Sequence, residues 1–255
     1  MGKEELVREA ARLVREARSV SAFTGAGISV ESGIPPFRGE NGLWSRYDPG
    51  LFEIDYFTRH PARCWELLRE LFYRTFQRAE PNPAHRALAS LEREGLLRSL
   101  VTQNIDNLHH RAGSRRVVEY HGNSRTLVCL ACGKRLPVTD RLLESIPPRC
   151  ACGGLLKPDF VFFGELIPPD AAREAARVAS HTDLMLVIGT TGEVYPAALV
   201  PRDAHSSGAG IVEINPSPSA YTGSITGLFL QGPAAVVLDR LHRELLGREV
   251  PGGSG

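Results

Sequence analysis

The residues with the most evident chemistry are four clustered cysteines. Cys129 and Cys132 form a C-x2-C pair, and after a gap of 17 residues Cys150 and Cys152 form a C-x-C pair followed by two glycines. Four thiolates bind Zn²⁺ tetrahedrally, and the first pair has the spacing of a zinc knuckle. The second pair is one residue tighter, so its thiols converge only if the chain turns at Ala151. We expect one structural zinc ion with no open position for catalysis; the alternative is a vacant or damaged site.

A glycine turn follows a short apolar run near the start of the chain. The run Val20–Thr24 predicts a strand, and it leads into Gly25, Ala26 and Gly27. Glycine allows backbone N–H groups to approach a phosphate closely. The dinucleotide fingerprint has a third glycine three residues after the second, where this chain has Val30. The turn is therefore either a phosphate-binding loop or only a tight connection between a strand and a helix.

Four further segments with polar side chains or glycine follow predicted strands. They are Gln103-Asn104-Ile105-Asp106, His121-Gly122, Gly189-Thr190-Thr191 and Asn215. Asn and Asp at a strand end recognise a ribose or an amide, or else cap the next helix in an Asx turn. A single histidine there is either a general base or a structural residue. Because ligands bind outside the carboxyl ends of parallel strands, these segments predict one common crevice.

Helical and strand patterns alternate along the chain. Predicted helices cover residues 4–19, 61–78, 83–94, 169–179, 196–206 and 233–246, and predicted strands cover 20–24, 99–102, 117–120, 159–163, 183–188 and 210–214. Several strands are continuous apolar runs, which is typical of a parallel sheet covered by helices on both faces. The cysteine segment interrupts the alternation. The sequence therefore predicts one large α/β domain that carries a small inserted domain.

Composition and charge narrow the class of protein further. Of 255 residues, 42% are hydrophobic and 23% are charged, which excludes wholesale disorder. Thirty basic and 29 acidic residues give a net charge of +1, so specific nucleic-acid binding is not expected. The charged N-terminal segment lacks the apolar core of a signal peptide, and no apolar run is long enough to cross a bilayer. We expect a cytoplasmic protein without membrane partners.

The motifs taken together resemble one known family. The strings GAGIS, GIPPFRG, TQNID, HG, the cysteine quartet, FFGE, GTT-x-x-VYPAA and EIN, in this order, resemble the sirtuins, the NAD-dependent protein deacylases. The resemblance runs from about residue 4 to residue 246 and does not depend on any single motif. It implies a discontinuous Rossmann-like NAD-binding domain at 1–27, 80–123 and 158–246. It further implies a cofactor-binding loop and helical part of the small domain at 28–79, a zinc-binding module at 124–157 and a disordered tail at 247–255.

The resemblance also implies roles for individual residues. His121 is the implied general base, and Asn104 is implied to share in catalysis. The implied NAD contacts are Gly25, Ala26, Gly27, Phe37, Arg38, Gln103, Asn104, Ile105, Asp106, Gly189, Thr190, Thr191, Asn215 and Ala234. The implied substrate-peptide contacts are Phe163, Gly164, Glu165, Gly192, Glu193 and Val194. Such a peptide would bind as an added β-strand. The protein would then recognise it mainly through main-chain hydrogen bonds and would accept varied peptide sequences. Gly192 stands where many members have leucine.

The implied reaction transfers an acyl group from lysine to ADP-ribose and releases nicotinamide and 2′-O-acyl-ADP-ribose. NAD⁺ would be the co-substrate, Zn²⁺ a structural ion and acyl-lysine proteins the partners of a monomeric enzyme. Three other functions remain open: NAD-dependent ADP-ribosyl transfer to protein, a non-catalytic NAD-sensing module, and a zinc-ribbon nucleic-acid binder. The near-zero net charge argues against the third.

The helix after the implied cofactor loop bears on the acyl group. Members that prefer succinyl-lysine carry Tyr-x-x-Arg there, whereas the corresponding positions of this chain hold Arg69 and Phe72. The helix offers Leu68, Leu71, Phe72 and Phe76, which either form an apolar wall of the acyl pocket or simply face the core. We therefore expect neutral acyl groups to be preferred, because a buried carboxylate without a paired cation is costly.

Overall fold

The structure is a computed structural model that describes residues 2–37 and 42–252. Arg38 and residues 253–255 lie outside the described residues. The strands of the described part are β1 (Val20–Thr24), β2 (Ser99–Thr102), β3 (Val117–Glu119), β4 (Gly122–Cys129), β5 (Arg135–Pro137), β6 (Leu156–Phe160), β7 (Leu184–Ile188), β8 (Gly210–Asn215) and β9 (Leu228–Gln231). Its α-helices are α1 (Lys3–Glu16), α2 (Ile54–Arg59), α3 (Pro61–Leu68), α4 (Thr75–Arg78), α5 (Pro83–Arg93), α6 (Leu108–Arg111), α7 (Asp140–Glu144), α8 (Pro169–Ser180), α9 (Leu199–Ser206) and α10 (Ala234–Leu246).

Six strands form one parallel sheet in the order β3-β2-β1-β7-β8-β9. Counted along this sheet alone, that is the order 3-2-1-4-5-6 of the Rossmann fold. The strand order reverses between β1 and β7, where Thr24 pairs with Ile188. A crevice opens outside the carboxyl ends of the strands at such a reversal. The predicted α/β fold is confirmed.

Two apolar cores lie on opposite faces of this sheet. In β7, Leu184, Leu186 and Ile188 belong to one core, and Met185 and Val187 belong to the other. Successive side chains of a strand point to opposite faces, so a strand covered on both sides is apolar at every position. The first core packs α1, α5 and α10, and the second packs α8 and α9.

A smaller antiparallel sheet, β5-β4-β6, lies with α2, α3, α4 and α7 around a third core. Trp65 is fully buried there, and its indole N–H donates to the carbonyl of Leu156 across 3.0 Å. Residues 69–74, inside the predicted helix 61–78, form a π-helical turn between α3 and α4. Such turns are rare and are frequent at functional sites. Among the described helices, none is long and apolar enough to cross a membrane.

One predicted strand is misplaced. The sequence pattern favours a strand at 159–163, but β6 ends at Phe160 and pairs antiparallel with β4 of the small sheet. Beyond β6 the chain bends away: the N–H of Val161 donates to the carbonyl of His121, and Phe163 pairs with residues 52 and 54. Phe160 and Phe162 are buried in the core of the small domain. The apolar pattern alone does not distinguish this arrangement from a strand of the large sheet.

Candidate functional site

Two glycine loops meet at the reversal of strand order. Gly25 donates its N–H to the carbonyl of Ile188 at 3.0 Å, and Gly27 donates to the carbonyl of Gly189 at 2.8 Å. A Cβ atom on Gly27 would lie 2.7 Å from the Cα of Gly189, closer than real Cβ contacts allow. Both loops therefore need glycine so that their backbones can touch. The chain then enters a 3-10 turn over Ala26–Ser32, which explains why no third glycine stands at Val30.

Side chains from three strand ends join beside these loops. The amide of Gln103, after β2, donates to the hydroxyl of Thr190, after β7, at 3.0 Å. Asn215 ends β8 and donates its amide to the carbonyl of Thr190 at 2.8 Å. Ala234 begins α10, immediately beyond β9, and is buried. The predicted strand-end residues thus lie along one edge of the parallel sheet.

Asn104 belongs to a buried polar network beneath this edge. Its amide nitrogen donates to the carbonyl of Gly25 and to the hydroxyl of Ser29, both at 3.2 Å. The Ser29 hydroxyl donates in turn to the carboxyl of Asp106 at 2.7 Å, and the second Asp106 oxygen accepts the N–H of Leu108 at 2.9 Å. Burial raises the pKa of Asp106, while these hydrogen bonds oppose the shift. The network fixes the Asn104 side chain against the glycine turn.

Two further histidines lie beside this network, and neither they nor Ser29 were predicted as site residues. His85 contacts the Ser29 hydroxyl through Nε2 at 3.3 Å, and burial lowers its pKa to about 3. His109 contacts the hydroxyl of Thr24 at 2.9 Å, and burial lowers its pKa well below the ordinary value. The two rings lie 4.9 Å apart. The only available signal was the serine in the GAGIS string, because the partners are distant in sequence.

His121 stands at the end of β3 and is half-buried. A carbonyl oxygen only accepts hydrogen bonds, so the 3.0 Å contact between His121 Nδ1 and the carbonyl of Gln103 places the proton on Nδ1. Burial lowers the pKa of His121, and the bond to Gln103 partly offsets this. The ring is therefore neutral at pH 7, with Nε2 as its basic nitrogen.

A narrow cleft opens between the 3-10 turn and the small domain. Its apolar lining comes from both sides and consists of Ala26, Ile34, Pro35, Phe37, Leu43, Leu71, Phe72, Phe76 and Ile105. Its polar lining is Ser29, Asn104 and Asp106. The ring of Phe37 lies 6.3 Å from that of Phe72 across the cleft. The cleft therefore lies between an apolar wall and the buried polar network of Ser29, Asn104 and Asp106.

The two predicted peptide-binding segments follow strands of different sheets. Gly192, Glu193 and Val194 follow β7, and a Cβ atom on Gly192 would lie 2.8 Å from the ring of Tyr221. Phe163, Gly164 and Glu165 follow β6, and Phe163 forms an isolated parallel bridge with Glu53. Among the described residues, the N–H and C=O of Gly164 have no hydrogen-bond partner.

The four clustered cysteines converge on one point. Their sulfur atoms all lie within 4.8 Å of one another, and the closest pairs are 3.5, 3.5 and 3.9 Å apart. Four thiolates at about 2.3 Å from a tetrahedral Zn²⁺ are spaced by roughly 3.8 Å, so the cluster fits one ion. The tight second pair converges because the N–H of Gly153 returns to the carbonyl of Cys150 at 2.8 Å. Gly154 leaves room, since a Cβ atom there would lie 2.6 Å from the Cys129 sulfur.

Fold and site define an α/β protein of the dinucleotide-binding class with an inserted four-cysteine module. The Sir2 family model matches residues 25–196, and the chain belongs to the Sir2 family. It is 48% identical to the NAD-dependent protein deacylase 2 of Pyrobaculum aerophilum, over 92% of this chain and 94% of the relative.

Two solved Sir2 structures are close to this one. A complex with a deacetylated p53 peptide and 3′-O-acetyl-ADP-ribose has a TM-score of 0.88 and 39% identity, covering 93% of this chain and 98% of the other. A complex with a p53 peptide and NAD⁺ has a TM-score of 0.85 and 40% identity, covering 92% and 97%.

Proposed function

We propose that the protein is an NAD-dependent protein-lysine deacylase that transfers the acyl group of acyl-lysine to ADP-ribose. The reaction releases nicotinamide and yields 2′-O-acyl-ADP-ribose. The observation that carries the proposal is His121, which is held as a neutral base by the carbonyl of Gln103, the residue before the cleft residue Asn104. Homologues with this activity in their names, and the peptide and acetyl-ADP-ribose complex of a relative, support it.

The strand-end loops are the proposed NAD⁺ site. Gly25 and Gly27 hold the turn against the loop after β7, and the start of the 3-10 turn at Ala26 is the proposed diphosphate contact. Phe37 would close over the nicotinamide ribose, with Arg38 as a further expected contact. Asn104, Ile105 and Asp106 would hold the nicotinamide amide in the cleft, and Gln103 the ribose. The proposed adenosine contacts are Gly189, Thr190, Thr191, Asn215 and Ala234.

NAD⁺ supplies an anomeric carbon with nicotinamide as a good leaving group. His121 acts as a general base because it is neutral at pH 7, and Nε2 takes the proton of a ribose hydroxyl. Asn104 spends both amide hydrogens on Gly25 and Ser29, so its oxygen remains as an acceptor for a ribose hydroxyl or a water molecule. The site mainly positions reactants, which is effective for a weak nucleophile such as an acyl oxygen.

The substrate peptide is proposed to bind as an added strand between residues 163–165 and 192–194. The unpaired N–H and C=O of Gly164 are suited to pairing with its main chain. The reaction requires an acyl-lysine, whereas main-chain pairing places little demand on the rest of the peptide sequence. Acyl-lysine proteins of varied sequence are therefore the expected partners.

The acyl group is proposed to be neutral. Leu71 and Phe76 line the cleft, and Phe72 is buried against Phe37 and Phe76. Among the described residues, no lysine or arginine lines this cleft, and Arg69 is outside the lining. A succinyl carboxylate placed against this apolar wall would therefore lack a paired cation.

The cysteine cluster is proposed to hold one structural zinc ion through Cys129, Cys132, Cys150 and Cys152. Four protein ligands leave no position for a substrate, so the ion would stabilise the small domain. Residues 124–157 are the proposed module, although β6 runs across its boundary. Free thiols are typical of a reducing compartment, and we propose that the protein lies in the cytoplasm. We also propose that it is a monomer.

The experiment that tests this function is mass spectrometry of an acetyl-lysine peptide incubated with the protein, with and without NAD⁺. We expect loss of the acetyl group only with NAD⁺. ADP-ribose attached to protein, with the acetyl group retained, would identify a transferase instead.

A further inference from the structure

Lys157 is a buried lysine in a chain that has only three. It lies in β6, and its side chain is 5% exposed. Its ammonium donates to the carbonyls of Pro158 at 2.9 Å and Phe160 at 2.7 Å, and to the carboxylate of Glu165 at 2.9 Å. All three donors are thereby used. Burial of an ammonium group costs free energy, and the pairing offsets this cost without making the pair strongly stabilising. The buried pair with Glu165 therefore suggests a role other than stability.

The Glu165 carboxylate does more than pair with the lysine. The same oxygen that contacts Lys157 accepts the backbone N–H of Phe162 at 2.8 Å. The N–H of Glu165 returns to the carbonyl of Phe162 at 3.0 Å, which closes a tight turn. Gly164 stands inside the turn with a φ of +87°, a conformation that other residues rarely adopt. Glu165 therefore stabilises the turn formed by residues 162–165 through hydrogen bonds inside that turn.

The neighbouring backbone is fixed at two more points. Phe163 accepts the N–H of Ile54 and donates to the carbonyl of Phe52, both at 3.0 Å. The N–H of Val161 donates to the carbonyl of His121 at 2.9 Å. The segment is thus hydrogen-bonded to the backbone of His121 on one side and to residues 52 and 54 on the other.

We propose that the Lys157–Glu165 ion pair positions the substrate-binding segment 162–165 beside His121. Glu165 acts through the main chain that it holds, and its own carboxylate faces Lys157 rather than the peptide. The inference rests on the proposed function, because it assigns the segment to acyl-lysine peptide binding. The pair is a positioning element, separate from the cofactor loops of the large sheet.

Replacing Glu165 by glutamine tests the pair, because the amide keeps the shape and removes the charge. The matched control is Glu174→Gln, which removes an exposed partner of Arg177 on α8. Three quantities are measured: the Kd of a fluorescein-labelled acetyl-lysine peptide, the Kd of NAD⁺, and hydrogen exchange of the 162–165 amides. We expect peptide affinity to fall at least ~10-fold in Glu165→Gln, which is the scale of a lost charge-assisted hydrogen bond. NAD⁺ affinity stays within twofold, and the 162–165 amides exchange faster.

Lys157→Met is the second variant, and it should show the same selective loss; if it does not fold, Glu165→Gln decides alone. Unchanged amide exchange in Glu165→Gln would overturn the inference, and so would a parallel loss of both affinities. Failure of the proposed function would be seen in a different measurement: the wild-type protein would not remove the acyl group from the peptide in the presence of NAD⁺. The exchange measurement does not depend on turnover, so it still decides whether the pair shapes the segment.

Discussion

The backbones of Gly27 and Gly189 touch: the N–H of Gly27 donates to the carbonyl of Gly189 at 2.8 Å, with no room for a Cβ atom on either residue. The contact joins the loops after β1 and β7, the two strands at which the sheet order reverses. It brings the glycine turn against the polar strand ends. Cofactor binding should therefore depend on glycine at both positions.

Gly189→Ala should abolish NAD⁺ binding and destabilise the fold. Gly189 has a φ of +63°, and its Cβ would lie 2.6 Å from the carbonyl carbon of Gly27. The matched control is Gly247→Ala, at a φ of +64° with nothing within 4 Å. The control should lose about 1–2 kcal/mol of unfolding free energy from backbone strain alone. Overpacking should cost Gly189→Ala about 1–3 kcal/mol more. Urea unfolding and NAD⁺ calorimetry check this, and equal losses in the two variants would contradict it.

His121→Ala should lower kcat/KM at least ~10²-fold, the usual contribution of a general base, while NAD⁺ still binds. Because the pKa of His121 is lowered by burial, the acid limb of the wild-type pH–rate profile should lie below 6.5, the ordinary histidine value. Steady-state kinetics between pH 5 and 8 measure both quantities. Turnover near the wild-type level in the variant would remove His121 from the mechanism.

Acid should destabilise the protein through His85. The unfolded chain protonates this residue near pH 6.5, but the folded chain does so only near its lowered pKa of about 3. Between these values the unfolded state binds more protons, so the free energy of unfolding falls as pH falls, by several kcal/mol in total. His85→Gln should show a shallower dependence between pH 6.5 and 4, whereas the exposed His205→Gln should match the wild type. Identical slopes in both variants would refute the assignment.

Several features of the fold and of the candidate site were predictable because each depends on a short, continuous stretch of sequence. The apolar run Leu184–Ile188 predicts a strand covered on both faces, and the polar residues after each strand predict the ligand edge. The spacing of Cys129 and Cys132 predicts a metal module. Each inference needs only a few adjacent residues and one periodicity.

Other parts depend on contacts between residues far apart in the chain. Ser29 meets His85 and Asp106 only after β1, β2 and α5 come together, so no sequence pattern indicated that network. The role of Lys157 required the turn that returns Glu165 to it. The sequence could not decide whether the C-x-C pair converges, because that depends on the turn at Gly153.

Removing a zinc ligand should empty the cluster and unfold the small domain. Cys129→Ser should reduce bound zinc from one ion per chain to none and lose peptide binding, since metal binding and folding are coupled in such modules. Cys64→Ser is the control, because Cys64 is buried outside the cluster. Elemental analysis and hydrogen exchange of residues 124–157 provide the readout. A folded, active protein without zinc would show that the ion is dispensable.

Acetyl-lysine should be preferred over succinyl-lysine. The helical wall that carries Leu71 and Phe76 is apolar, and no described lysine or arginine lines the cleft beside it. We expect kcat/KM for a matched succinyl peptide to be at least ~10-fold lower, since an unpaired buried charge costs more than 1.4 kcal/mol. A succinyl value equal to the acetyl value would contradict the neutral-acyl assignment.

The most direct test of the central claim is the stoichiometry of one reaction mixture. An acetyl-lysine peptide, NAD⁺ and the protein are incubated together, and free lysine peptide, nicotinamide and acetyl-ADP-ribose are quantified by mass spectrometry. An NAD-dependent deacylase forms the three in equal amounts and forms none without NAD⁺. Nicotinamide release with the peptide still acetylated, or acetyl loss that does not require NAD⁺, would contradict the account.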